Sequence, residues 1–167
     1  MAEHEAMLRH IISGFEAIPA LQDELFQDIA LAIWRALPNF RQQASVKTFV
    51  ARIAHNILAT HVNKAVKRVK TTSLEVDSKQ HGVVDPQTTP YQQLDQKQRQ
   101  ACLLSAIRQL SLEQRQVLTL ALEGMSYQEI AESLAISTNL VGVRLQRAKA
   151  AVTKQLAIQG QGDANDR

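Results

Sequence analysis

Apolar residues recur along most of this chain at spacings of three and four, the period of an amphipathic helix. Leu25, Phe26, Ile29, Ala30, Ile33, Trp34 and Leu37 form one such stripe, and Pro38 predicts where that helix closes. A polar loop follows, Asn39-Phe40-Arg41-Gln42-Gln43-Ala44. Ser45 then stands where a cap belongs, ahead of a long helix with Val46, Phe49, Val50, Ile53, Ala54, Ile57, Leu58 and Val62 on its apolar side. The other side carries Lys47, Thr48, Arg52, His55, Asn56, Asn63 and Lys67. No run alternates with period two between hairpin turns, so sheet is not expected.

From about Thr71 to Thr89 the periodicity lapses among Ser73, Asp77, Ser78, Gly82 and Asp85-Pro86, which reads as a flexible linker. Pro90 suits the first position of the next helix, whose buried side would carry Leu94, Ala101, Leu104 and Ile107. Gln159 to Arg167 reads as a disordered tail. The expected fold is therefore all-α: two small helical domains over 1–70 and 100–158, a linker over 71–99 and a tail over 159–167.

The C-terminal third is the most sharply punctuated. Ser111-Leu112-Glu113-Gln114 and Ser126-Tyr127-Gln128-Glu129 both have the spacing of a capping box. The first opens a helix that Gly124 stops. The second opens a short helix through Ile130, Ala131 and Leu134, followed by the turn Ala135-Ile136-Ser137 and a last helix through Val141, Leu145, Ala148 and Val152. A short helix, a tight turn and a second helix make a helix-turn-helix. Ala131 and Ala135 supply the small residues that a close crossing needs, and Ser137 can cap the second helix and leave its first turn free for a major groove.

Charge sharpens this picture. The 167 residues carry Lys+Arg 19 against Asp+Glu 16, a formal net charge of +3. From Ile29 to Leu74 there is no acidic residue, while Arg35, Arg41, Lys47, Arg52, Lys64, Lys67, Arg68 and Lys70 all fall there. A second acid-free stretch, Ser133 to Gly162, carries Arg144, Arg147, Lys149 and Lys154. Asp23, Glu24 and Asp28 form an acidic cluster just ahead of the first basic zone. Two basic zones in a nearly neutral chain point to two contacts with a polyanion; taken singly, each zone reads equally well as a solvated helix face. The 45% apolar content excludes wholesale disorder, and no run approaches the 18 apolar residues of a membrane span. His4, Glu5, Arg9 and His10 break up any signal-peptide stretch, and a lone cysteine, Cys102, fits a reducing cytoplasm.

Two ordered blocks carry a family resemblance. Leu25-Phe26-Gln27-Asp28-Ile29, Trp34-Arg35-Ala36-Leu37, Phe40-Arg41 and Thr48-Phe49-Val50-Ala51-Arg52-Ile53-Ala54-His55-Asn56 resemble the second conserved region of bacterial sigma factors. Leu110-Ser111-Leu112-Glu113-Gln114-Arg115 and Gly124-Met125-Ser126-Tyr127-Gln128-Glu129-Ile130-Ala131-Glu132-Ser133-Leu134 are similar to their fourth. With no third region between, the chain resembles the extracytoplasmic-function type of the sigma-70 family.

The resemblance implies a factor that binds core RNA polymerase, directs it to promoters and helps open them, with no cofactor and no catalysis of its own. It maps polymerase binding, on the clamp helices of the largest subunit, to Asp23, Glu24, Leu25, Gln27 and Asp28. Minus-10 DNA, with a flipped base, maps to Arg41, Gln42, Ser45 and Lys47 around the loop and to Thr48, Arg52, His55 and Asn56 on the helix. Minus-35 DNA maps to Ser137, Thr138, Asn139, Val143, Arg144, Arg147 and Lys149. The flap of the second-largest subunit and an anti-sigma factor are further partners usual in the family. Three departures stand out: only about twenty residues precede the acidic cluster, where the family has more helix; the last helix reads Gly142-Val143-Arg144 in place of a Lys-Ser-Arg-like run; and Ala135 stands where glycine is common, which predicts a backbone there that is not left-handed.

Other classes fit less of the chain. His4-Glu5 lacks the second histidine of a zinc-protease helix, and no phosphate-binding glycine loop occurs. A dimeric regulator that binds duplex DNA without polymerase would account for 126–150 and leave the basic helix of the first half without a task. A third possibility is an adaptor that binds a partner through its helices and never touches DNA.

Overall fold

The computed structural model describes residues 2–71 and 91–164. Within them lie seven α-helices and one 3-10 turn, and no strand. The first half contains α1 (Ala2–Ser13), α2 (Pro19–Ala36) and α3 (Val46–Thr71). The second contains α4 (Tyr91–Arg108), α5 (Leu112–Leu122), α6 (Tyr127–Leu134) and α7 (Thr138–Ala164). The expected linker falls mostly outside the described residues, as does Pro90, but its final part, from Tyr91, is already α4. The expected tail is also shortened: α7 continues to Ala164, past Gln159.

Helix α1 was not anticipated from the sequence. Met7, Leu8, Ile11 and Ile12 fall one and four apart, so they share a face, and all are buried. Glu16 shapes the turn into α2: its carboxylate accepts from the backbone N–H of Ala17 (2.8 Å) and Ile18 (2.9 Å) through one oxygen and meets His61 of α3 at 2.8 Å through the other. With no capping side chain at Ile18, Glu16 and Pro19 start α2 together. Arg9 ties α1 to α2, reaching Glu5 at 3.1 Å and Asp23 at 3.3 Å while its guanidinium lies 4.5 Å over the Phe26 ring.

Helix α2 closes at Ala36, and Pro38 sits in the 3-10 turn Leu37–Asn39. Ser45 caps α3, accepting from the Thr48 N–H at 3.1 Å. Ser111 accepts from the Gln114 N–H at 3.4 Å, and Ser126 forms the full capping box with Glu129. Gly124, at φ +75°, ends α5 in the left-handed conformation that glycine adopts without strain. Ala135 adopts φ +55°, contrary to the expectation from its side chain. The tight turn between α6 and α7 dictates that backbone, with the Ile136 N–H bonded to the Ala131 carbonyl at 3.0 Å.

The two halves pack on each other. One continuous apolar cluster runs from Ile11, Ile29, Ala54 and Leu58 to Ile107, Val117, Leu120, Ile130 and Val141. Gly14 marks the closest approach: a Cβ built there would stand 2.9 Å from Thr119 Cγ2. Arg108 donates to the Ser13 carbonyl at 2.9 Å, and the Arg115 guanidinium lies 5.4 Å from the Phe15 ring centre. Burial holds both arginine pKa values below the ordinary one, and in Arg115 the neighbouring Arg108 lowers it further.

Candidate nucleic-acid and partner interfaces

Helix α3 packs on α1, α2, α5 and α6, which leaves one flank open as far as Val62 and the turns from Asn63 exposed all round. Along that flank Arg52, Asn56, Thr60, Asn63 and Lys67 are exposed at spacings of three and four. The loop before it is held at both ends, by the Phe40 and Phe49 rings (centres 4.5 Å apart) and by the Ser45 cap. Between these anchors Arg41, Gln42 and Gln43 project outward, Gln42 at φ +54°. An aromatic wall, outward amides and cations, and a polar helical flank suit an unstacked strand, which needs phosphate contacts and amides that read base edges. Gln43 fell within the expected loop, Phe40 to Lys47, without being singled out, and Thr60 was missed although it lies in register with Arg52 and Asn56.

Two expected contacts of α3 lie inside. Thr48 and His55 are each 1% exposed. The Thr48 hydroxyl accepts from Ser45 Oγ at 2.9 Å, completing the cap. His55 meets the edge of the Phe15 ring, centres 5.5 Å apart, and neither ring nitrogen has a hydrogen-bond partner. Burial pushes its pKa down to about 3, so the ring stays neutral. Neither side chain can touch DNA from this position. Lys47 and Arg52 are also engaged within the chain: Lys47 Nζ donates to the Glu123 carbonyl at 2.7 Å, and Arg52 to the Glu132 carbonyl at 2.8 Å.

In the second half, Ser137 caps α7 as its sequence position suggests, accepting from the Leu140 N–H at 3.2 Å. Val141, Leu145, Ala148 and Val152 face the core, which turns Thr138, Asn139, Val143, Gln146, Arg147 and Lys149 outward. An open groove of about 550 Å³ runs over this face, lined by Tyr127, Thr138, Asn139, Gly142, Val143, Gln146 and Lys149. Gly142 deepens it by lacking a side chain: an added Cβ would meet only Tyr127 Cε2, at 3.5 Å. Tyr127 was absent from the expected set, and Gln146 fell within its span, Ser137 to Lys149, without being singled out. Gln146 was legible, since it lies seven positions after Asn139 and three after Val143. Arg144 turns the other way and pairs with Glu113 of α5 at 3.3 Å, so it is not part of the outward face.

On α2, Asp23, Glu24, Gln27 and Asp28 are exposed, but Leu25 is 5% exposed and belongs to the core. Trp34 corrects the sequence reading in the opposite direction. Its place in the apolar stripe suggested burial, yet it is 71% exposed. With Leu31 it continues the row of Glu24, Gln27 and Asp28 at spacings of three and four, giving one face with acidic and apolar parts. Among the described residues no helix is long and apolar enough to cross a membrane.

Both halves match known families. Residues 1–68 match the family described as Sigma-70 region 2, and residues 100–152 that described as Sigma-70, region 4. The RNA polymerase sigma factor YlaC of Bacillus subtilis (strain 168) is 31% identical over 137 residues, covering 80% of this chain and 76% of that protein. The RNA polymerase sigma-H factor of Pseudomonas aeruginosa is 27% identical over 139 residues, covering 80% and 72%. Among solved structures, the sigma factor RpoE in complex with the anti-sigma factor NepR, from Bartonella quintana, aligns with TM-score 0.69 at 18% identity over 92% of each chain. CnrH in complex with the cytosolic domain of CnrY aligns with TM-score 0.63 at 23% identity, over 94% of this chain and 84% of that one. These two likenesses are of fold.

Proposed function

The chain belongs to the sigma-70 family of RNA polymerase sigma factors, in its extracytoplasmic-function type, and from that premise we propose how its surfaces divide the work. The α2 face of Glu24, Gln27, Asp28, Leu31 and Trp34 meets the clamp helices of the largest polymerase subunit. Its exposed indole supplies a desolvating anchor and its carboxylates supply orientation. Arg41, Gln42, Gln43, Arg52 and Asn56 hold the melted minus-10 strand. Thr138, Asn139, Val143, Gln146, Arg147 and Lys149 read minus-35 duplex, the exposed first turn contacting bases and the later cations the phosphates.

One observation carries this reading. A single chain presents two separate outward polar faces, one around a helix and its anchored loop, the other on a capped helix-turn-helix. A regulator of duplex DNA alone has no use for the first. The protein acts in the cytoplasm without catalysis of its own; the second-largest subunit's flap and a protein inhibitor of the anti-sigma kind are its further partners.

The test is transcription from genomic fragments by purified protein added to bacterial core polymerase. New transcripts with defined starts are expected. Specific binding to duplex DNA that is indifferent to polymerase, with no new transcripts, would favour the regulator instead.

A further inference from the structure

Which bases a helix can read depends on the few side chains at the centre of its outward face. On α7, Asn139, Gly142, Val143 and Gln146 hold that centre, because steps of three and four keep them on one side, and all four line the groove. Asn139 and Gln146 stand seven residues apart, about 10 Å along the axis, a length that spans about three base pairs of duplex.

No guanine reader stands among them. Guanine is read through its O6 and N7 by a bidentate arginine or by a lysine. Arg144, the first cation of α7, is engaged by Glu113 of α5 at 3.3 Å and points away from the groove. Arg147 falls on one flank of the face, about 100° around the axis from Gln146. Lys149 comes eleven residues after Thr138, about 16 Å along the axis, well beyond the first turn that contacts base edges. What remains at the centre is two carboxamides and an isopropyl group. A carboxamide matches N6 and N7 of adenine, and an apolar side chain matches the C5-methyl of thymine.

Gly142 gives such a methyl room. A Cβ built there would meet nothing within 4 Å except Tyr127 Cε2, at an ordinary 3.5 Å, so a carbon arriving from outside can approach the helix backbone beside an aromatic edge. Val143, 45% exposed, adds an apolar wall to the same groove. Burying a methyl there removes three apolar surfaces from water at once, those of the methyl, Val143 and the Tyr127 ring. We propose that this face selects adenine–thymine base pairs, and that the C5-methyl of one thymine seats over Gly142 against Val143. The inference rests on the minus-35 assignment above and adds the base pairs that this surface prefers.

Removing single methyl groups from the DNA tests it. Promoters recovered from genomic fragments with core polymerase and the full-length protein supply the upstream element, which should include adenine–thymine pairs. Each thymine of that element is then replaced in turn by deoxyuridine, which lacks only the methyl. At one position, transcript yield at limiting protein should fall about fourfold, the worth of one methyl group taken from apolar contact. In Val143→Ser the thymine and uracil templates should differ by less than about twofold, since the apolar wall is gone. Asn139→Ala and Gln146→Ala should each relax the preference for adenine at one position by about tenfold. An element of guanine–cytosine pairs alone overturns the proposal, as do yields indifferent to uracil at every position. A uracil defect that persists at full size in Val143→Ser overturns it as well. If the unaltered protein yields no transcript from any fragment, the sigma-factor reading itself falls and takes this inference with it.

Discussion

Arg52 and Glu132 are 80 positions apart, in different halves of the chain, yet the guanidinium of one donates to the carbonyl of the other at 2.8 Å. The acceptor is main chain, so no substitution at 132 removes it. Replacing Arg52 would remove this tie between the halves and, under the proposed minus-10 role, a promoter contact with it. Gly14 tests the packing by itself, because it lies outside the proposed DNA and polymerase faces.

Trp34 is the residue on which polymerase affinity should depend most. Trp34→Ala should lower affinity for core polymerase by about tenfold or more, as expected for a buried aromatic anchor. Folding stability should change by no more than about 0.5 kcal/mol, because the side chain is 71% exposed. Titration of core enzyme alongside urea unfolding checks both; a stability loss equal to the affinity loss would return Trp34 to the core.

His55 makes stability dependent on pH. Its pKa is about 3 in the fold and 6.5 as an ordinary histidine, so below pH 6.5 the unfolded chain takes up a proton that the folded chain refuses. The contribution is therefore complete above pH 6.5 and lost progressively as pH falls toward 3, by about 2 kcal/mol at pH 5. His55→Leu should flatten that part of the profile and cost little at neutral pH, since the two ring nitrogens have no partners to lose. Urea midpoints at pH 7 and pH 5 for both proteins measure it.

Ala135 stores a small strain. At φ +55° its methyl group crowds the backbone, and Ala135→Gly should raise stability by about 1 kcal/mol. Chemical denaturation reports the gain directly; a loss would mean that the methyl packs favourably enough to outweigh the strain.

Gly142 offers a contrast between stability and recognition. Gly142→Ala should stabilise α7 by about 1 kcal/mol, because the new methyl meets Tyr127 at an ordinary 3.5 Å. It also fills part of the groove, so affinity of the polymerase complex for minus-35 duplex should fall. Unchanged DNA binding in the more stable variant would remove the groove from the reading surface.

Punctuation was the most legible part of the sequence. Ser111, Ser126, Ser137 and Gly124 act within one helical turn of themselves, so spacing alone placed α5, α6 and the start of α7. Helix α1 announced itself in Met7-Leu8 and Ile11-Ile12, a pattern overshadowed by the charged residues among them. What periodicity could not assign was which edge of a stripe the neighbours would cover. Trp34 and Leu25 belong to one apolar run, and the packing of α1 and α3 leaves the first in water and buries the second. Likewise His55 and Asn56 are adjacent polar residues on α3, and the Phe15 turn covers only the first. The left-handed Ala135 escaped for a different reason: the geometry of the turn outweighed the preference of its residue.

The missing side chain at Gly14 has a consequence for which substitutions the seam between the halves can accept. Gly14 takes the Thr119 side-chain methyl directly against its own Cα, so no side chain at 14 stands between the halves to yield by degrees. Any side chain added at 14 must therefore displace Thr119 or shift the turn that follows α1, rather than repack in place. Position 14 is thus constrained by a residue of the other half, so the two halves have to change together although each matches a family description of its own.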